Sequence, residues 1–169
     1  MTSILKVDQI QTTAGAAPTA SDLGLNTAGS VVQVVHNTTS SEVVITSGSH
    51  VDTGLSASIT PTSTSNKILV IVTVHLRLQS NSSSDSGAGW KLLRGSTAIR
   101  TTPNNYNNYV YAGSANGEFR GTESFSSLDS PATTSATTYK VQGARYGSQV
   151  FRVQDNNTHS EIVLMEIAQ

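Results

Sequence analysis

Hydrophobic and polar positions alternate along most of the chain, and the stretch NKILVIVTVHLRLQS, Asn66 to Ser80, carries the pattern furthest. Read as a strand, one parity is apolar throughout: Ile68, Val70, Val72, Val74, Leu76 and Leu78. The other begins apolar at Leu69 and Ile71 and turns polar through Thr73, His75, Arg77 and Gln79. Side chains alternate across a strand, so the unbroken parity belongs to a core and the mixed one looks outward. An outward face that is half apolar calls for a partner.

From Val31 onward the chain is a series of short β-branched runs, each ended by Ser, Thr, Gly or Asn clusters: VVQVVH, EVVIT, LSASIT, the long central run, AGWKLLR, STAIRT, NNYVYA, FRGTESFSSL, TTYKVQGA, QVFRVQ and EIVLMEI. Roughly ten strands at this spacing predict an all-β sandwich or barrel. Nowhere do apolar residues keep helical spacing over three turns. The last run, EIVLMEI, resembles the central one in carrying bulk on both parities, with Val163, Met165 and Ile167 on one and Ile162 and Leu164 starting the other. Antiparallel sheets normally leave one face in water. The expectation is a homo-oligomer that covers Leu69, Ile71, Ile162 and Leu164 near a symmetry axis, with Thr73 and His75 continuing the same outward parity.

The segment before Val31 has a different texture. Ile4, Leu5, Val7 and Ile10 are too few for a core yet enough to adhere to another surface, and TTAGAAPTASDLGLNTAGS reads as an extended linker. Residues 1–30 are therefore expected to form an arm, and residues 31–169 the sandwich.

Composition narrows the possibilities. Charged residues make up 12% of the chain, about half the usual globular share, so the surface is largely neutral and polar. The formal net charge of -1 gives no electrostatic footprint for nucleic acid or an anionic membrane. With no cysteine there is neither a disulfide framework nor a thiolate metal site. The N-terminus, MTSILKVDQIQ, has charges where a signal peptide would be apolar, which implies folding in a cytoplasm.

Chemistry is sparse. His36, His50, His75 and His159 are spread along the chain without metal-ligand spacing. There is no nucleophile elbow, phosphate loop or dinucleotide fingerprint, so no catalytic residue, cofactor or metal is expected. DNNTHSE, Asp155 to Glu161, alternates oxygen-bearing side chains but lacks the turn glycine of a calcium loop and reads better as a polar hairpin connection. In PNNYNNYVYAG, Tyr106, Tyr109 and Tyr111 stand among asparagines. Flat rings beside amides can hold sugars, or the tyrosines can simply stack on neighbouring strands. Trp90, the single tryptophan, reads as a core anchor.

Several stretches resemble one family. SILKVDQIQTTAGAAPTASDLGLN is similar to the opening of many structural proteins of tailed bacteriophages, cyanophages especially. VDTGLSASITPTSTSNKILVIVTV, GWKLLRGSTAI, LDSPATTSATTYKVQGA and EIVLMEI resemble the globular part of the same proteins, in order. The resemblance implies a non-enzymatic virion protein of the tail fibre-like or capsid decoration type, assembled in the host cytoplasm. Its module would be a jelly-roll β-sandwich of the tumour-necrosis-factor and C1q type, forming a homotrimer whose inner sheet lines the threefold axis. Because no shaft separates arm from module, a capsid decoration or cement protein, docked by its arm on the major capsid protein or another virion protein, fits the chain. The alternative is a short tail fibre or fibre tip whose tyrosine loop meets host-surface glycans.

Overall fold

The computed structural model describes residues 27–169 apart from 82, 104–106, 112–115 and 150, together with residues 15, 17, 18 and 23. The hydrophobic particles of the arm, Ile4, Leu5, Val7 and Ile10, and also Tyr106, lie outside the described residues. The described chain forms eleven strands: β1 (Val31–Thr39), β2 (Val43–Ile45), β3 (Val51–Ile59), β4 (Lys67–Gln79), β5 (Ser86–Arg94), β6 (Thr97–Thr101), β7 (Asn108–Val110), β8 (Glu118–Asp129), β9 (Thr137–Tyr146), β10 (Phe151–Val153) and β11 (Ser160–Ile167). Each coincides with one of the β-branched runs.

The strands form two antiparallel sheets packed face to face, one of six strands and one of five. In the first, β4 has β8 along one edge and β10 and β11, laid end to end, along the other. β1 and β2, also end to end, flank β11 and β10. In the second, β9 lies between β3 and β5, and the far edge of β5 takes β7 and β6 in tandem. Counting the end-to-end pairs β1 with β2, β6 with β7, and β10 with β11 as one strand each reduces the eleven to eight. The sheet orders in chain sequence are then 1-8-3-6 and 2-7-4-5, the connectivity of a jelly roll.

Period-two patterning explains where the core lies. Ile68, Val70, Val72, Val74, Leu76 and Leu78 of β4 are all fully buried, facing Leu55, Ile59, Trp90, Leu92, Tyr139 and Val141 of the second sheet. Each such side chain contributes roughly 1.5–3 kcal/mol. Trp90 meets Phe151 edge to face at 5.7 Å, and its indole N–H donates to Asn108 Oδ1 at 2.8 Å. Residue 143 is glycine because a Cβ there would stand 2.9 Å from the Phe151 ring.

β11 corrects the sequence reading. Its register sets Ile162 against Val72 and Leu164 against Val70, so Ile162 and Leu164 point into the sandwich and are fully buried by their own chain. They have no surface to offer a second copy. The outward residues are Val163, beside Ile71, and Met165, beside Leu69. The inward parity ends on Glu166, which is completely buried and accepts hydrogen bonds from Gln33 Nε2 (2.6 Å), Thr62 N (2.7 Å), Thr62 Oγ1 (2.8 Å) and Asn66 Nδ2 (2.7 Å). Burial by itself would raise the Glu166 carboxyl; the hydrogen bonds outweigh it and hold the group below its ordinary range.

The DNNTHSE segment is not a hairpin connection, because the strands on either side of it, β10 and β11, share the same edge of β4. It is an excursion from one interrupted strand, built on a single 3-10 turn at Asp155–Asn157. Asn156 and Asn157 take left-handed backbone angles (φ 54° and 59°), which asparagine tolerates better than most residues.

Candidate functional site

The outer face of the six-stranded sheet is graded along the strands. Its registers align Leu128, Leu69, Met165 and Val34 in one row across β8, β4, β11 and β1. The next row is Ser126, Ile71, Val163 and His36, and the next Ser124, Thr73, Glu161 and Thr38. Further along β4, His75 stands beside Thr122, and Arg77 lies between Arg120 and Arg152. The first two rows are therefore mostly apolar, the third polar, and the far end charged.

Exposure follows the same order. Leu128 is 58% exposed, Val34 55% and Ile71 36%, while Leu69, Val163 and Met165 are half-buried by one another. Six neighbouring aliphatic side chains on one flat face form a contiguous patch, and a patch of that kind marks an interaction surface where an isolated exposed leucine would not. Leu69, Ile71, Thr73 and His75 thus share the outer face, as expected from the parity of β4. Met165, Val163, Val34 and Leu128 complete the patch and were not anticipated; the signal for the first two was the second apolar parity of EIVLMEI.

The charged end is internally satisfied. Glu118 accepts from Arg120 Nε (2.6 Å), Arg77 Nη2 (2.8 Å) and Gln79 Nε2 (3.1 Å), and the Arg120 bond, followed by the Arg77 bond, holds its carboxyl below the usual range. Nearly buried Asp155 receives Arg120 Nη1 at 3.0 Å and Arg77 Nη1 at 3.5 Å, and Arg152 reaches Glu42 at 3.3 Å. Cations and anions alternate here, so the end offers directional pairing rather than an anion pocket.

The residues read as possible chemistry do not converge. His36 Nε2 lies 3.3 Å from Glu161, His75 Nδ1 and His50 Nε2 are buried atoms, and His159 is exposed on the excursion. Burial, then the neighbouring Lys91, keep the His50 imidazole below its ordinary range. Among the described residues no three His, Asp or Glu side chains gather as a metal site would require. Of the tyrosines, Tyr109 and Tyr111 are exposed, but Asn107 and Asn108 turn inward and hold Glu123 at 2.6 and 3.1 Å. Two of the amides read as sugar ligands are therefore engaged by a carboxylate. Compared with models of known protein families and with curated proteins, the chain matches none.

Proposed function

We propose that the chain is a non-enzymatic structural protein of a tailed-phage virion, a homotrimeric decoration or cement protein that packs through the outer face of its six-stranded sheet and docks on the particle through residues 1–30. The observation that carries the reading is the apolar patch of Leu128, Leu69, Met165, Val34, Ile71 and Val163. Apolar surface gains roughly 25 cal/mol per Å² when it leaves water, and a closed ring of identical copies removes the same patch once per subunit. The jelly-roll strand order supports the choice of a trimer through the resemblance to tumour-necrosis-factor and C1q modules. The rows of β4 and β11 would then lie toward the threefold axis.

Light scattering on the purified chain tests the assembly: a mass three times the 17.7 kDa of one chain is expected, and a monomer at tens of micromolar overturns it. Gold-labelled antibody to residues 31–169, viewed on intact particles, tests the place. Gold over the head supports decoration, and gold confined to the tail replaces it with a short tail fibre.

A further inference from the structure

Opposite the proposed assembly face, the outer surface of the five-stranded sheet carries an aromatic pair among the described residues. The register aligns Tyr109 of β7, Gly87 of β5 and Tyr146 of β9 in a single row. With glycine in the middle strand, the two rings lean toward each other over it, their centroids 6.0 Å apart and their planes tilted by 40°. Both remain open to water, Tyr109 by 42% and Tyr146 by 38%, and Tyr111, two residues on, is 76% exposed.

The cradle is fixed from behind. Tyr109 Oη donates a hydrogen bond to Asp85 Oδ2, and this bond, ahead of other causes, pushes the phenol up to about 12. A ring tied by its hydroxyl loses little freedom when a ligand settles on its face. The supporting backbone is knitted as well: Ser148 Oγ and Ser84 Oγ lie 2.6 Å apart, and Ser80 Oγ donates to the Tyr111 carbonyl at 3.2 Å.

We propose that Tyr109 and Tyr146, with Tyr111 at their rim, form a saccharide-binding platform that stacks on the C–H face of a neutral pyranose. Three considerations select this ligand class. The platform is a shallow, water-exposed cradle of two tilted rings, whereas a wholly apolar ligand needs enclosure. Nucleobases also stack on such rings, but nucleic acid brings a phosphate backbone, and here Tyr109 is tied to a carboxylate in a chain of net charge -1. A pyranose presents axial C–H bonds to an electron-rich ring face and hydroxyls to the phenol groups around it. The site sits on the sheet opposite the proposed assembly face, so the proposal stands whether or not the chain trimerises.

Saturation-transfer NMR on the full chain tests it, with methyl β-glucopyranoside, methyl β-galactopyranoside, methyl α-mannopyranoside and lactose as probes. Transfer is expected to at least one of them, strongest on the C–H protons of one ring face. Tyr109→Ala should weaken it about five- to tenfold. Tyr146→Leu, which keeps apolar cover over Gly87 but removes the flat ring, should do the same with an unchanged circular-dichroism spectrum. Transfer to none of the four sugars, or transfer unaltered in Tyr146→Leu, overturns the platform. Displacement of the sugars by millimolar choline would also overturn it, since the rings would then be a cation cage.

Discussion

The two sheets of this sandwich share a core but present opposite outer faces. Along β3 and β9 of the five-stranded sheet the outward side chains are polar and bonded to one another away from the tyrosine pair: Asp52 accepts from Gln142 Nε2 at 2.7 Å and Lys140 Nζ at 3.0 Å, and the Ser58 and Thr138 hydroxyls lie 2.7 Å apart. On the six-stranded sheet the first two rows have little to bond with, being mostly leucine, isoleucine, valine and methionine. One face is finished by water and its own hydrogen bonds. The other leaves apolar side chains in water, and that is the observation on which the assembly proposal rests.

The largest expected break lies between two adjacent residues of β11. Ile162→Ala removes buried methylenes from the centre of the core and should cost about 2–5 kcal/mol. Val163→Ala trims a half-exposed side chain and should cost the folded subunit under about 1 kcal/mol. Urea denaturation of both variants at a concentration low enough to hold the chain monomeric checks the contrast. Equal losses would mean that the parity of this strand is not as described.

That parity was the part of the fold the sequence hid. β4 was legible because six consecutive inward positions are apolar and the outward ones end in Arg77 and Gln79. In β11 both parities carry apolar bulk, and the parity containing Ile162 and Leu164 ends in a glutamate, which reads as solvent-facing. Glu166 is nevertheless buried, because Gln33, Thr62 and Asn66, about a hundred or more residues away in sequence, converge on it. A buried carboxylate needs such partners, and their convergence is a property of topology that local pattern does not carry. The same holds for Tyr146, which reaches Tyr109 only through two strand registers, and for DNNTHSE, whose flanking strands turn out to share an edge.

Next in size is a charge placed on each outer face in turn. Leu69→Asp puts a carboxylate in the middle of the apolar rows, and in a trimer three of them would be brought near the axis, away from water. Assembly should weaken by at least about a hundredfold, read as a fall in mass on dilution. Gln142→Asp, a charge on the polar face, should leave the mass unchanged. If both variants dissociate, or neither does, the two faces are not different in the way argued.

Glu166 joins the faces, since it clamps the loop before β4 and the first strand to the end of β11. Its carboxyl is lower in the folded chain than in the unfolded one, so its contribution is fully present above the unfolded value of about 4.3 and is lost as the pH falls through the lower, folded value. Glu166→Gln keeps the shape but meets donors with a donor, and should cost about 1–3 kcal/mol at neutral pH. Stability curves of the two proteins should converge in acid. A variant as stable as the parent at pH 7 would remove the clamp from the account.

The smallest effect probes the tyrosine cradle without disturbing either sheet. The Tyr109 phenol stands at about 12 because ionising it would break the bond to Asp85 and set a phenolate against a carboxylate. Asp85→Asn removes the charge and leaves an amide oxygen that can still accept. The phenol should therefore fall from about 12 toward the ordinary tyrosine value of about 10, visible as phenolate absorbance appearing at lower pH. Sugar contact at Tyr146 should persist in this variant, because the ring faces are unchanged. A phenol that does not move would show that Asp85 is not what holds Tyr109, and the preorganisation assigned to the platform would have to come from Tyr146 and Gly87 alone.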